Sequence, residues 1–243
     1  MLEVLRHPIT QEAQFHTESA FRAFLKKQAV DPATLTFFNG WNETHKTTSL
    51  VSAKIIMRLS ADAISVPAEK RIRYHNVMAH MHEVAKDDFG LGHQGHDGMY
   101  SYMTTAFGAT DWVGDQYKVQ ECNEFSDFLY NTGVAEHKSA LNSAEHKISI
   151  MDAMMVSIAS ELWNGREYNF IAQFIEEKLI AINPFLKTNA QKLRNAKGYV
   201  IGHSGEVENK HGLHALAAAQ AYGRTVDTSF KLGRLKGMML NYN

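Results

Sequence analysis

The chain contains little of what disulfide-rich, membrane-spanning or nucleic-acid-binding proteins are made of. Its one cysteine, Cys122, excludes an internal disulfide framework and is typical of a reducing compartment. No apolar run approaches the ~20 residues of a membrane span, and the N-terminus lacks the basic start and long apolar stretch of a signal peptide. A formal net charge of −1 gives no electrostatic reason to bind nucleic acid or an anionic membrane. These absences predict a soluble, cytoplasmic protein that binds neither nucleic acid nor a membrane.

Strand signals are also missing, whereas helical periodicity recurs along the chain. No segment alternates convincingly between apolar and polar residues with period two. The 243 residues suffice for one substantial core, and no linker or repeat divides them. The sequence therefore predicts one all-α domain over residues 1–243 with about seven or more helices. Its core is expected over about residues 10–222, followed by a basic, partly helical C-terminal tail over residues 223–243.

Prolines, glycines and apolar spacing predict where the helices lie. Asp31 and Pro32 are typical of an N-cap and a first helical residue. Helices are expected to open near Thr10, at Pro32 and near Pro67, the second running on to Leu59 and the third ending near Asp88. Further helices are predicted over approximately residues 96–107, 125–129, 148–163, 168–182 and 200–222.

The segment from His203 to His214 is the richest in groups that hold protons or metals. Glu208 and His211 are three residues apart, so on a helix they share one face and can bind one ion together. His214 extends the same stripe by another three residues and is expected to support the ligands rather than bind. The alternative is a solvated helix start with acidic residues at its N-terminus.

A second cluster surrounds the predicted end of the third helix. Glu83, Asp87 and Asp88 precede a glycine-rich turn, and His96 begins the next helix. A carboxylate at a helix end and a histidine after the turn can be placed over one ion. The alternative is an ordinary capped helix end, although acidic residues near a helix C-terminus are unfavourable to the macrodipole.

A third candidate is Glu161, which lies on or beside the apolar stripe formed by Met154 and Ile158. A buried carboxylate needs a cation, hydrogen-bond donors or a proton. The alternatives are an ion pair with Arg166 or simple exposure near Gly165.

Other candidates are weaker. Two Glu-His dipeptides are interpreted as solvated, two single histidines as structural, and the thiol of Cys122, in acidic surroundings, as a poor nucleophile. These residues are Glu136, His137, Glu145, His146, His16 and His45.

With these candidate residues in this order, the sequence resembles those of the haem-oxygenase-like diiron oxidases and oxygenases. These enzymes share the helical fold of haem oxygenase and thiaminase. The resemblance covers residues 31–222. It is carried by the segments Asp31–Leu35 with Trp41 and Asn42, Ala85–Gly90 with His96, Ile158–Leu162, and Glu208–Leu216.

Two positions depart from the family's pattern. Ser204 stands where the family has a histidine four residues before the last-helix carboxylate, and His203 is its neighbour. Five residues of regular helix separate side-chain directions by about 140°, so His203 and Glu208 would converge only if the helix bulged or bent. Asp88 stands where the family commonly has glutamate, and Glu83 lies about one turn earlier, so either residue is a candidate ligand.

The resemblance implies a cytoplasmic, O2-activating non-haem enzyme with two Fe(II) ions per chain, Mn being an alternative metal. One iron would be held by His96, Glu161 and a carboxylate from Asp88 or Glu83. The other would be held by His203, Glu208 and His211, with one carboxylate bridging the two ions.

The same resemblance implies a small-molecule substrate, an amino acid or fatty acid derivative, that undergoes N-oxygenation, desaturation or C–C cleavage. A homodimer is left open. The alternatives are a metal-independent enzyme of the thiaminase type, a small-molecule-binding protein of the same fold, and a non-catalytic helical scaffold.

Overall fold

The regular structure of the chain is helical throughout the part that the computed structural model describes, residues 2–90, 94–136, 139–204 and 206–243. No strand occurs in these ranges. The helices are α1 (Leu2–Leu5), α2 (Pro8–Lys26), α3 (Pro32–His45), α4 (Thr48–Ile64), α5 (Ala68–Phe89), α6 (His96–Phe107), α7 (Gln120–Leu129), α8 (Ala144–Ala172), α9 (Ile175–Ile182), α10 (Ala190–Gly202), α11 (Glu206–Thr225) and α12 (Leu232–Tyr242). The predicted all-α class is confirmed.

Several helix ends follow directly from local sequence chemistry. The Asp31 carboxylate accepts from the Thr34 backbone N–H at 2.8 Å, and Pro32 occupies the first helical position of α3. Gly90 and Gly108 end α5 and α6 with φ of 80° and 83°, a left-handed conformation that glycine adopts without steric cost. The predicted starts at Pro32 and His96 are therefore confirmed.

Other predicted helix boundaries are wrong. The helix expected from Pro32 to Leu59 is interrupted at Thr47, whose buried hydroxyl hydrogen-bonds Ser126 of α7 at 2.7 Å. The break expected between the helices over 148–163 and 168–182 is absent, because α8 runs through Gly165 to Ala172, and the second of these predicted helices is divided between α8 and α9. The helix expected over 200–222 is instead divided between α10 and α11 after Gly202.

One centrally placed helix, α8, organises the interior. It packs against α11, which in turn packs against α5, and α4 lies against both α5 and α8. Side chains of α8 contribute to both hydrophobic clusters of the core, Met154 and Ile158 to one and Tyr168 to the other. The C-terminal segment belongs to this body too, because Leu235, Met239 and Tyr242 of α12 are buried. Among the described residues no helix is long and apolar enough to cross a bilayer.

The predicted solvation of the two Glu-His dipeptides is correct for the glutamates and wrong for His146. Glu136 and Glu145 are exposed, and His137 lies outside the described residues. His146 is buried, and its Nε2 lies 2.8 Å from Asp62 Oδ1 on α4. The sequence reading failed here because the partner of His146 is 84 residues away along the chain.

Two glycines allow α8 and α11 to approach closely. A Cβ added at Gly165 of α8 would lie 2.8 Å from Glu208 Cβ, and one added at Gly212 of α11 would lie 2.8 Å from Leu162 Cδ2. Contacts under 3.0 Å are not tolerated without movement. Close helix packing thus brings the Glu161 and Glu208 backbones together.

We expect Gly165→Ala to lower the free energy of unfolding by about 1–3 kcal/mol, the usual cost of overpacking a core. The added methyl group would push α11 away from α8. Urea denaturation followed by circular dichroism measures the change. Gly237→Ala on α12 is the matched control, because a Cβ there meets no atom within 4 Å. The control should stabilise by about 0.5–1 kcal/mol. Equal stability of the two variants would contradict the close-packing argument.

Candidate metal centre

Glu161 is buried in the protein interior on α8. It is only 5% exposed, and it follows Met154 and Ile158 on the buried face of the helix, as predicted from their spacing. Gly165 lies one turn further along and allows Glu208 of α11 to come close. The alternative of an ion pair with Arg166 is not what the structure shows, because the Arg166 guanidinium bonds Gln14 instead.

Glu161, Glu208 and His211 form a buried group whose ligand atoms all lie within 4.8 Å of one another. His211 Nδ1 is 3.4 Å from Glu161 Oε2 and 3.9 Å from Glu208 Oε2. Glu208 Oε2 is buried and has no hydrogen-bond partner among the described residues. Two carboxylates and one imidazole in this arrangement could hold a metal ion.

The other nitrogen of His211 is held by Asp87, which was not among the predicted ligands. His211 Nε2 lies 2.9 Å from Asp87 Oδ2 on α5. A carboxylate that accepts from one ring nitrogen commonly orients a histidine whose second nitrogen binds metal. Asp87 thus directs His211 Nδ1 toward Glu161 and Glu208. The sequence signal for Asp87 was its place beside Asp88, but nothing in the sequence said that it faces α11.

A second group joins the end of α5 to the start of α6 and the end of α10. His96 Nδ1 is 3.3 Å from Asp88 Oδ1, and His96 Nε2 is 2.8 Å from His203 Nε2. The Ser52 hydroxyl donates to Asp88 Oδ2 at 2.8 Å, which fixes the carboxylate. The predicted pairing of a helix-end carboxylate with His96 is therefore present, and residues 91–93 of the predicted glycine-rich turn lie outside the described residues.

The contacts of His203 determine which of its nitrogens carries the proton. Its Nδ1 faces the backbone carbonyl oxygen of Tyr199, which can only accept, so Nδ1 must be protonated. The neutral ring then presents a lone pair at Nε2, directed at His96 Nε2. A proton on His96 Nε2 or a cation between the rings is needed, because two lone pairs at this distance repel each other.

His203 and Glu208 lie in different helical segments, which removes the regular-helix geometry that would keep them apart. His203 follows the last residue of α10, and α11 begins at Glu206, so His203 and Glu208 are not on one regular helix. Both are buried and line the same cavity. Ser204 takes no part in it, and its hydroxyl donates to the Ile201 carbonyl at 3.0 Å.

Glu83 lies apart from both groups. Its carboxylate is partly exposed and pairs with Lys86 at 2.8 Å and Lys210 at 3.7 Å. It does not line the cavity, whereas Asp88 does. The geometry therefore favours Asp88 over Glu83 as a neighbour of the other candidates.

The cavity between the two groups has a volume of ≈ 10 Å³, the space of about one water molecule. It is lined by His45, Thr48, Asp88, His96, Glu161, Asn164, Tyr168, Tyr199, His203 and Glu208. Thr48 Oγ1, like Glu208 Oε2, is a buried polar atom without a hydrogen-bond partner among the described residues. Two such unsatisfied atoms at one cavity are costly unless a ligand or water contacts them. His45, Thr48 and Asn164 were not predicted to line a site.

Burial and like charges shift the carboxyl groups of the cavity toward their protonated forms. Burial, followed by the charge of Glu208, raises the pKa of Glu161 to about 8. Burial, followed by the charge of Glu161, raises the pKa of Asp88 to about 7. A divalent cation would reverse both shifts, because it favours the ionised forms.

The surroundings shift the pKa values of His203 and His211 in opposite directions. Burial lowers the pKa of His203 to about 4, so its ring is neutral and suited to bind metal. Burial alone would also lower the pKa of His211, but hydrogen bonds and the charges of Glu161 and Glu208 outweigh it and raise the pKa to about 11. Metal binding at His211 must therefore displace a proton.

We expect the free energy of unfolding of the metal-free protein to fall as pH rises from 6.5 to 8. In this range the folded chain holds protons at Glu161, Asp88 and His211 that the unfolded chain releases, so raising the pH favours unfolding. His203 does not oppose the change, because above pH 6.5 its ring is neutral in both states. Urea titrations at several pH values in chelator measure the slope, and Glu161→Gln should make it shallower. A stability that rises with pH would contradict the expectation.

Comparison with known proteins gave no match: no protein-family model, no curated protein and no solved structure is similar enough to this chain. The resemblance to haem-oxygenase-like diiron enzymes therefore depends on the sequence motifs alone, and the function is argued from the buried cluster.

Proposed function

We propose that the chain binds two Fe(II) ions in the cavity between α5, α6, α8 and α11 and uses them to oxidise a small molecule with dioxygen. The observation that carries the proposal is the buried group of Glu161, Glu208 and His211, beside a second group of Asp88, His96 and His203. The contacts divide the candidate ligands differently from the sequence assignment, which had paired Glu161 with His96 and His203 with His211.

The charge of the cavity supports two divalent ions. Three carboxyl groups line it, from Asp88, Glu161 and Glu208, and a fourth, from Asp87, contacts His211 behind it. When all four are ionised they carry a charge of −4, and two ions of charge +2 would neutralise them. Without metal, this charge is avoided only by holding protons on the carboxyl groups and on His211, as the raised pKa values indicate.

The donor atoms favour iron or manganese. They are carboxylate oxygens and imidazole nitrogens, and no thiolate lines the cavity. Such a set suits Fe(II) and Mn(II), whereas thiolate-rich sets favour zinc. Bound iron would supply the binding and reduction of dioxygen.

The chain's own residues position the ligands. Asp87 orients His211, the Ser52 hydroxyl orients Asp88, and the Tyr199 carbonyl fixes the proton of His203 on Nδ1. A substrate larger than a water molecule requires the wall of the cavity to move. The large side chains of Phe38, Trp41, Met103 and Phe107 are buried in the core and do not line the cavity.

One observation favours a metal-free alternative of the same fold. Both nitrogens of His211 face carboxylates, so an ion network can form without a metal. A thiaminase-type mechanism with a cysteine nucleophile has less support. Cys122 does not line the cavity, and burial, followed by the charge of Glu121, raises its pKa, which disfavours the thiolate.

Metal analysis of anaerobically loaded protein separates these two functions. We expect two Fe(II) per chain after removal of free iron, and Glu208→Gln should lose at least one of them. Glu206→Gln, exposed on the first turn of α11, is the matched control and should retain both. Oxygen-electrode measurements should then show consumption that depends on an amino acid or fatty acid substrate. Retention of well under one iron per chain, with no effect of Glu208→Gln, would leave the metal-free alternative.

The orienting role of Asp87 has its own test. We expect Asp87→Asn to weaken Fe(II) affinity by about 10- to 100-fold, the usual effect of losing a carboxylate behind a ligating histidine. Competition with a chelator measures the affinity. Glu83→Gln, four residues earlier on α5 and on the surface, should change it by less than about twofold if Glu83 is not a ligand. A larger loss for Glu83→Gln than for Asp87→Asn would reverse the assignment.

A further inference from the structure

A second polar site lies in the core, toward the other end of the helices that carry the candidate metal centre. Arg58 and Asp62 are one turn apart on α4, and both side chains reach α8. Arg58 Nη2 donates to the hydroxyl oxygen of Ser149. Asp62 Oδ1 lies 2.8 Å from His146 Nε2. Residues three or four apart on a helix share one face, so these two contacts lie side by side between α4 and α8.

Three buried polar atoms at this site have no hydrogen-bond partner among the described residues. They are Arg58 Nη1, Asp62 Oδ2 and the hydroxyl oxygen of Tyr222 on α11. Asp62 and Tyr222 are 1% and 0% exposed. Burial, followed by the charge of Asp62, raises the pKa of Tyr222, and the charge of Arg58 acts against this increase, so the hydroxyl lies within electrostatic reach of both groups. Such atoms are costly in a core unless a further molecule bonds them.

The chemistry of the three atoms selects the molecule that satisfies them. Arg58 Nη1 can only donate, the carboxylate oxygen of Asp62 accepts, and the Tyr222 hydroxyl can do either. A cation would be repelled by Arg58, and an anion would be repelled by Asp62. The bound molecule must therefore be neutral, small enough for a core site, and able both to donate and to accept.

We propose that one buried water molecule is bound at this site and joins α4 to α11. It accepts from Arg58 Nη1, donates to Asp62 Oδ2 and bonds the Tyr222 hydroxyl. These contacts give it the approximately three hydrogen bonds that a buried water usually makes. They also leave none of the three side-chain atoms unsatisfied.

The water site is separate from the candidate metal centre. Asp62 lies ten residues beyond Ser52 on α4, and Tyr222 lies eleven residues beyond His211 on α11, about 15 Å of helix in each case. Neither Asp62 nor Tyr222 lines the metal cavity. The water site therefore stands whether or not the proposed function is correct.

The competing explanation is a direct ion pair, in which the Arg58 side chain turns so that Nη1 donates to Asp62 Oδ2. This arrangement needs no water and satisfies two of the three atoms. It leaves the Tyr222 hydroxyl buried without a partner. The two explanations therefore differ in what surrounds Tyr222.

A crystal structure of the full chain, with bromide in the crystallisation medium, tests the proposal directly. We expect density for one water about 2.5–3.2 Å from Arg58 Nη1, Asp62 Oδ2 and the Tyr222 hydroxyl, without anomalous signal from bromide. A direct Arg58–Asp62 bond with no water, a bromide peak, or a water that does not contact Tyr222 overturns the proposal. The unmodified chain gives this result, so it does not depend on any variant folding.

The sign of a stability change gives a second test. In Tyr222→Phe the equilibrium constant for unfolding, measured in urea, should rise about two- to tenfold, because the hydroxyl loses a hydrogen bond to water. An unpartnered hydroxyl would give the opposite sign, because its removal relieves an unsatisfied buried group. An unchanged or lower constant therefore overturns the proposal.

Tyr74→Phe is the matched control. Tyr74 is also buried and near Asp62, but its hydroxyl is not one of the three unpartnered atoms. A crystal structure of Tyr74→Phe should retain the water in its place. Loss of the water from Tyr74→Phe would contradict the assignment of Tyr222 as its third partner.

Discussion

The burial of the Glu161 carboxylate opposite Glu208 is the constraint on which the rest of the centre depends. Two groups of like charge cannot both be ionised in a low-dielectric core without a compensating cation. The structure brings them together through Gly165 and Gly212, which let α8 and α11 approach. The helix packing thus holds two carboxyl groups close enough to repel each other when both are ionised. Protons on Glu161 and His211, or a bound metal ion, can relieve this repulsion.

Neighbouring residues determine which nitrogen of each histidine is available to compensate the carboxylates. Asp87 holds Nε2 of His211, which leaves only Nδ1 to face the two glutamates. The Tyr199 carbonyl holds Nδ1 of His203, which leaves only Nε2 to face His96. Each histidine therefore presents one defined nitrogen toward the other ligands, an arrangement that reduces the reorganisation needed to bind a cation.

Sequence reasoning succeeded where the signal was local. Helix-start chemistry at Asp31 and Pro32 is repeated in the structure, and the spacing of Met154, Ile158 and Glu161 correctly predicted a carboxylate on a buried helix face. It failed where a distant partner decides the outcome. Thr47, between α3 and α4, hydrogen-bonds Ser126 of α7, and the buried His146 contacts Asp62 of α4.

The sequence by itself determined the all-α class and the residue types from which the candidate centre is built, because periodicity and capping act within a few residues. Tertiary structure alone decided which of them meet. It placed Asp88 at the cavity and Glu83 at the surface, added Asp87 behind His211, and brought His203 near His96 by ending α10. Side chains on different helices meet only through packing, and the spacing of residues along one helix carries no information about it.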